Sequence, residues 1–171
     1  LSCSSAASDV YKRQDLLITG NTADYRSSVS RFFKNEPSGR LIEDTNQDII
    51  GLKASSLKFM DLDNDGDQDL IASGWSVIEN NLVTKVYQNE PLGTYVELSV
   101  DGLHAVAYGD IDAVDIDHDG DLDISISGVD SVSNFATRVH SLSGKVYKNE
   151  GSFNFTELLD IPGARILRFA D

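Results

Sequence analysis

The chain has 171 residues, 40% of them apolar and 25% charged, which fits one domain of ordinary globular composition and excludes wholesale disorder. Asp and Glu number 28 against 14 Lys and Arg, and the resulting charge of −14 repels phosphate backbones and anionic lipid, against nucleic-acid or membrane-surface binding. No apolar run approaches the ~18 residues of a membrane span, and the lone Cys3 leaves no internal disulfide and no Cys/His zinc cluster.

Residues 1–14, LSCSSAASDVYKRQ, are small and polar and lack the apolar stretch of a signal peptide. They resemble the translation of a sequencing adaptor, so this segment is expected to be non-native and disordered. The natural chain is then expected to extend upstream.

From residue 15 onward the sequence repeats. DLLITG (15–20), DLIASG (69–74) and DISISG (123–128) recur at spacings of 54 and 54. RFFKNE (31–36), KVYQNE (85–90) and KVYKNE (145–150) follow at 54 and 60, so the last unit carries a six-residue insertion. SLKFMD, DIDAVD and ILRFAD end at Asp61, Asp115 and Asp171.

Each unit reads as four short strands. Strand one alternates, with Leu57 and Phe59, Ile111 and Ala113, and Leu167 and Phe169 on its apolar side. Strand two alternates likewise and ends at a Gly. Strand three, with Val86-Tyr87 and Val146-Tyr147, is apolar on both faces and suits burial on both sides. Strand four is expected at 95–100 and 153–158, with a weaker version at 40–43. No helical stripe is present. Four strands per 54–60 residues predict an all-β fold of β-propeller blades, each of four antiparallel strands; open solenoids, with shorter repeats, rank second. The expected organisation is a partial blade at 15–50, blades with acidic loops at 51–104 and 105–163, and the first strand of a next blade at 164–171. So few blades cannot close a ring of ~4–8, hence the expectation of a fragment of a larger propeller.

The acidic loops carry the chemistry. DLDNDGDQD (61–69) and DIDHDGDLD (115–123) place Asp at positions 1, 3, 5, 7 and 9 with Gly at 6. Carboxylates this crowded repel one another unless a cation sits among them. Calcium takes about 6–8 oxygen ligands, which alternate residues of a tight loop can supply. The expected ligands are side chains of Asp61, Asp63, Asp65 and Asp69 with the Asp67 carbonyl, and of Asp115, Asp117, Asp119 and Asp123 with the Asp121 carbonyl: two Ca2+ sites. Gly66 and Gly120 are expected where the chain turns at a φ costly for other residues; Asn64 and His118 are expected to face solvent. An EF-hand fails, because its acid at position 12 is replaced by Ala72 and Ile126.

Strand, D-x-D-x-D-G-x-x-D loop, then an apolar strand ending in Gly resembles the FG-GAP/VCBS repeats of integrin-alpha-type β-propellers, over residues 15–171. The Phe-Gly/Gly-Ala-Pro signature is absent, and the units are closer to the VCBS-like bacterial style. The resemblance implies a typically seven-bladed, calcium-binding propeller of a secreted or cell-surface protein. It further implies ligand binding, adhesion or scaffolding, with an unidentified protein or carbohydrate as partner.

Other features read blandly. Asn35, Asn89 and Asn149 are expected to form turns, Asp112 to be solvated, and His104, His118 and His140 to lie on the surface. Trp75 is expected to pack on the next blade. The insertion, roughly 129–144, is the candidate for variable recognition. No nucleophile elbow, catalytic Cys or phosphate loop is present, so catalysis is not expected of this segment. The competing reading is an accessory or catalytic propeller of an extracellular polysaccharide-acting or hydrolytic enzyme.

Overall fold

A computed structural model of the chain describes residues 2–7, 14–24, 26–91, 93–131 and 141–169. Twelve strands form three four-stranded antiparallel sheets, each a simple meander. The first contains β1 (Ser2–Ala7), β2 (Gln14–Asn21), β3 (Ser28–Asn35) and β4 (Leu41–Asp44). The second contains β5 (Leu52–Met60), β6 (Asp69–Ser76), β7 (Asn81–Glu90) and β8 (Thr94–Leu98). The third contains β9 (Ala107–Val114), β10 (Asp123–Ser131), β11 (Ser141–Asn149) and β12 (Phe155–Pro162). The fold is all-β, built of β-propeller blades of four antiparallel strands. Among the described residues no helix is long and apolar enough to cross a membrane.

The core lies between sheets, because a blade can bury its faces only against its neighbours. Leu17 and Phe32 of the first blade pack on Phe59, Leu70, Tyr87 and Tyr95 of the second. Tyr95 sits between two rings, 5.5 Å from Phe32 and 5.8 Å from Phe59. Met60, Leu62, Ile71 and Val86 of the second blade pack on Val106, Ile111, Ile124, Ile126 and Tyr147. In the middle blade β6 is buried almost throughout, whereas β8 and β12 are largely exposed outer strands.

Strand two therefore departs from the half-buried alternation of its sequence: its polar members Asp69 and Ser73 are fully buried. The hydroxyls of Thr19, Ser73 and Ser127, again 54 apart, join each blade to the next. Thr19 Oγ1 accepts from Leu52 N (2.8 Å), Ser73 Oγ from Val106 N (3.0 Å) and Ser127 Oγ from Leu167 N (2.9 Å). Ser73 Oγ also donates to the Val106 carbonyl at 3.0 Å. Tyr87 and Tyr147 add a second joint, their hydroxyls accepting from Ile50 N and His104 N at 3.1 and 2.8 Å.

The strand-two glycines have a steric reason. Strand one bulges opposite them, at Ala54 (φ 49°) and Tyr108 (φ 51°). A Cβ on Gly74 would lie 2.9 Å from the Lys53 carbonyl oxygen, and one on Gly128 would lie 2.8 Å from that of Ala107. Strand two nonetheless continues past the Gly, so Trp75 lies within β6, opposite Leu82.

Several expectations need correction. Ser2–Ala7, expected to be disordered, pair with β2 as β1 in the first-strand position. Backbone groups of a strand edge accept a partner with little regard to its side chains. Residues 164–169 form no strand, although Leu167 N bonds to Ser127; residues 170–171 lie outside the described residues. The third blade's outer strand runs Phe155–Pro162 rather than 153–158, because Ser152 and Phe153 (φ 51° and 62°) still belong to the preceding turn. His104 is half-buried and burial pushes its imidazole pKa down, whereas His118 is exposed. His140 and the centre of the insertion, 132–140, lie outside the described residues.

Asp112 is not solvated. Its Oδ1 lies 3.2 Å from Lys58 Nζ and 3.7 Å from Arg168 Nη1, and its Oδ2 accepts from Phe169 N at 3.3 Å. Lys58, Asp112 and Arg168 occupy one position of strand one in successive units, so charges of alternating sign meet from blade to blade.

Candidate metal centre

Each acidic loop bridges strands one and two at the same end of its blade. Asn64 and His118 adopt left-handed backbone (φ 61° and 62°), followed by Gly66 and Gly120 at φ 95° and 98°. A side chain at position 6 would be strained there. The loops close on their own carboxylates: Gly66 N donates to Asp61 Oδ2 at 3.0 Å, and Gly120 N to Asp115 Oδ2 at 3.1 Å.

In the first loop, carboxylate oxygens of Asp61, Asp63 and Asp65 lie within 4.8 Å of one another. Asp61 Oδ1 is buried and has no hydrogen-bond partner, an orphaned acceptor on a member of this trio. Asp69 is not part of this trio. It is fully buried, its Oδ2 accepting from Leu62 N and its Oδ1 from Asn89 N, both at 2.9 Å. Burial pushes its carboxyl up to about 6, against those two donors and with Asp63 and Asp65 adding to the rise. The exposed Asp67 donates its N–H to Asp65 Oδ1 at 2.9 Å.

In the second loop the grouped oxygens are those of Asp115, Asp117 and Asp123. Asp123 repeats the latch of Asp69, accepting from Ile116 N (2.8 Å) and Asn149 N (2.9 Å), yet it stays within reach of its neighbours. Asp119 lies outside the group and accepts from Asp121 N and Lys148; these hold its carboxyl below the usual range. Asp121 Oδ1 accepts from Asn64 Nδ2 at 2.6 Å, and the Gly120 carbonyl accepts from the same amide at 3.2 Å. Asn64, exposed as expected, thus also ties the two loops together.

The recurring asparagines have a role that turn propensity does not describe. Asn35 N donates to Asp15 Oδ1 at 2.8 Å, as Asn89 and Asn149 do to Asp69 and Asp123. Asn149 Nδ2 further donates to the Leu62 carbonyl, in the preceding blade's loop. Their recurrence after the Asp that opens strand two, at 20, 20 and 26 residues, was the available signal.

The donor set fits a hard cation: converging carboxylates, an unpartnered buried carboxylate oxygen, and a glycine-formed bend. Among the described residues both groups consist of carboxylates alone, without the sulfur or imidazole ligands of a zinc site.

A family model described as an FG-GAP-like repeat matches residues 61–126. Among curated proteins none matches the chain. Among solved structures, a fucose lectin from Kordia zhangzhouensis in complex with methyl-fucoside is similar, with a TM-score of 0.58 and 9% identity. The match covers 91% of this chain and 96% of the lectin chain. Residues 61–126, from the first acidic loop into β10, therefore match an FG-GAP-like repeat and lie on β-propeller blades.

Proposed function

We propose that the chain is a calcium-stabilised propeller module of a secreted or cell-surface protein, serving ligand binding, adhesion or scaffolding rather than catalysis. The observation that carries the calcium reading is Asp61 Oδ1, buried without a donor beside Asp63 and Asp65. An unpaired buried acceptor is costly, and a divalent ion satisfies it while cancelling the repulsion of its neighbours. Asp61, Asp63 and Asp65, with the Asp67 carbonyl and Asp69, would hold one ion. Asp115, Asp117, Asp119 and Asp123, with the Asp121 carbonyl, would hold the other. Bound calcium supplies charge neutralisation and cross-linking between strands one and two, so its binding free energy adds to folding free energy.

A carbohydrate is the ligand class best supported. The lectin of similar fold was solved with a methyl-fucoside. A groove of about 420 Å³ between the second and third blades combines polar Asp63, Gln88, Ser99 and Ser152 with the ring of Phe153, a mixture and size suited to a small polar ligand.

Thermal melting of the full chain in excess calcium and in EDTA tests the calcium reading. Chelation is expected to lower the melting temperature. Superimposable curves would sink it. Titration with free monosaccharides, fucose included, tests the ligand class.

A further inference from the structure

The two acidic loops are alike in sequence but differ in what stands over them. Lys148, on β11, places its Nζ 2.5 Å from Asp117 Oδ2 and 3.2 Å from Asp119 Oδ2. The equivalent residue on β7 is Gln88, whose neutral amide donates to Asp63 Oδ2 at 2.7 Å. The first loop thus keeps an orphaned carboxylate oxygen on Asp61, while both oxygens of Asp115 accept backbone N–H groups, at 3.2 and 3.1 Å. Positive charge is already present at the second loop and must be displaced before a divalent ion can use the same two carboxylates.

We propose that Lys148 is a built-in competitor for calcium at the second loop, making the two sites unequal and setting the order in which they fill. This rests on the calcium reading above. Calcium affinity in oxygen sites follows the count of ligand charges, and a resident ammonium removes one unit of net negative charge from the second loop. Lysine suits the task because its ammonium is a point charge on a flexible stem. A place for the displaced group is at hand: Glu150 Oε2 lies 3.7 Å from Nζ. The first loop fills at low calcium. The second fills only at higher calcium, and until then Lys148 offsets its carboxylate repulsion and keeps the third blade folded.

Calorimetric titration of the full chain with calcium chloride tests this. The wild type is expected to show two unequal sites. Lys148→Gln is expected to tighten the weaker one by about tenfold or more, the scale of one nearby unit charge at a protein surface. Gln88→Lys is expected to weaken the stronger one similarly. In Asp63→Ala, which leaves the second loop intact, the remaining site should be the weak one and should tighten on adding Lys148→Gln. Thermal melts in EDTA give a second readout: Lys148→Gln should lower the melting temperature of the calcium-free protein while Gln88→Lys raises it. Two equal sites unmoved by Lys148→Gln would overturn the competition and leave calcium binding standing. No calcium uptake by the wild type or either variant would overturn both.

Discussion

Asn149 Nδ2 donates to the Leu62 carbonyl at 2.9 Å, so a side chain from the third blade holds the first acidic loop of the second. Both residues are fully buried, and Asn149 Oδ1 accepts from Gly151 N at 3.1 Å. Loop, strand three and the adjacent blade are thereby fastened through one amide.

Replacing Asn149 by Ala leaves the Leu62 carbonyl buried without that donor. The expected cost is about 1–3 kcal/mol, read as a lower midpoint in urea unfolding. Asn149→Asp should be no better, since it sets an acceptor against an acceptor. A midpoint equal to wild type for Asn149→Ala would show that the bond contributes nothing.

Ser73 makes a comparable test of the joint between second and third blades. Its hydroxyl donates to the Val106 carbonyl, accepts from Val106 N, and accepts from Thr84 Oγ1 at 2.8 Å. Ser73→Ala removes all three bonds in a fully buried setting and should cost about 1–3 kcal/mol. Ser73→Thr should cost less, because Thr19 fills the same position in the first blade and bonds Leu52 in the same way. Equal losses for the two variants would mean that the hydroxyl is not the operative group.

Local signals carried most of the architecture. Period-two alternation and the 54-residue repeat located the strands of the second and third blades, and Gly66 and Gly120 announced the bends through a requirement met within a few residues. Contacts formed across blades were not legible. The linkage of Asn64 to Asp121, of Asn149 to Leu62 and of Asp112 to Lys58 joins residues more than fifty positions apart. Asn64 and Asp112 read as solvated, and Asn149 as a turn former, because each partner belongs to another unit. Asp69 was hidden for another reason, within its own blade: the spacing made it one more ligand, whereas burial and two backbone donors make it first a latch onto Leu62 and Asn89.

Asp44 gives the fold a defined acid sensitivity. Burial alone would raise its carboxyl, but hydrogen bonds from Gln47 Nε2 (3.0 Å), Lys34 Nζ (2.9 Å) and Asn46 N (3.1 Å) bring it down to about 2. Gln47 in turn donates to the Gly93 carbonyl and accepts from Tyr95 N, tying the first blade to the second. A carboxylate whose folded pKa is depressed contributes stability that is present above its unfolded pKa and lost as pH falls through the folded one. The wild type should therefore lose stability between about pH 4 and pH 2, and Asp44→Asn should be less stable at neutral pH and flatter across that window. Parallel pH profiles for the two proteins in urea unfolding would refute this role.

Asp63 and Asp117 occupy position 3 of their loops, and both belong to the grouped carboxylates. Asp63→Ala should leave one bound calcium instead of two, and Asp117→Ala likewise, by calorimetric titration of the full chain. The two losses release different partners in the calcium-free protein. Asp63 accepts from Gln88 Nε2 and from Asp65 N, so its removal frees a neutral amide. Removal of Asp117 leaves Lys148 with Asp119 and Glu150, at 3.2 and 3.7 Å, as its remaining partners. Neither change uncovers a buried charge, so each apo variant should melt within a few degrees of wild-type apo protein, surface substitutions being worth about ±0.5 kcal/mol. The difference should appear on adding calcium, where each variant gains less stability than the wild type. A variant that still takes up two ions would show that its aspartate is not a ligand.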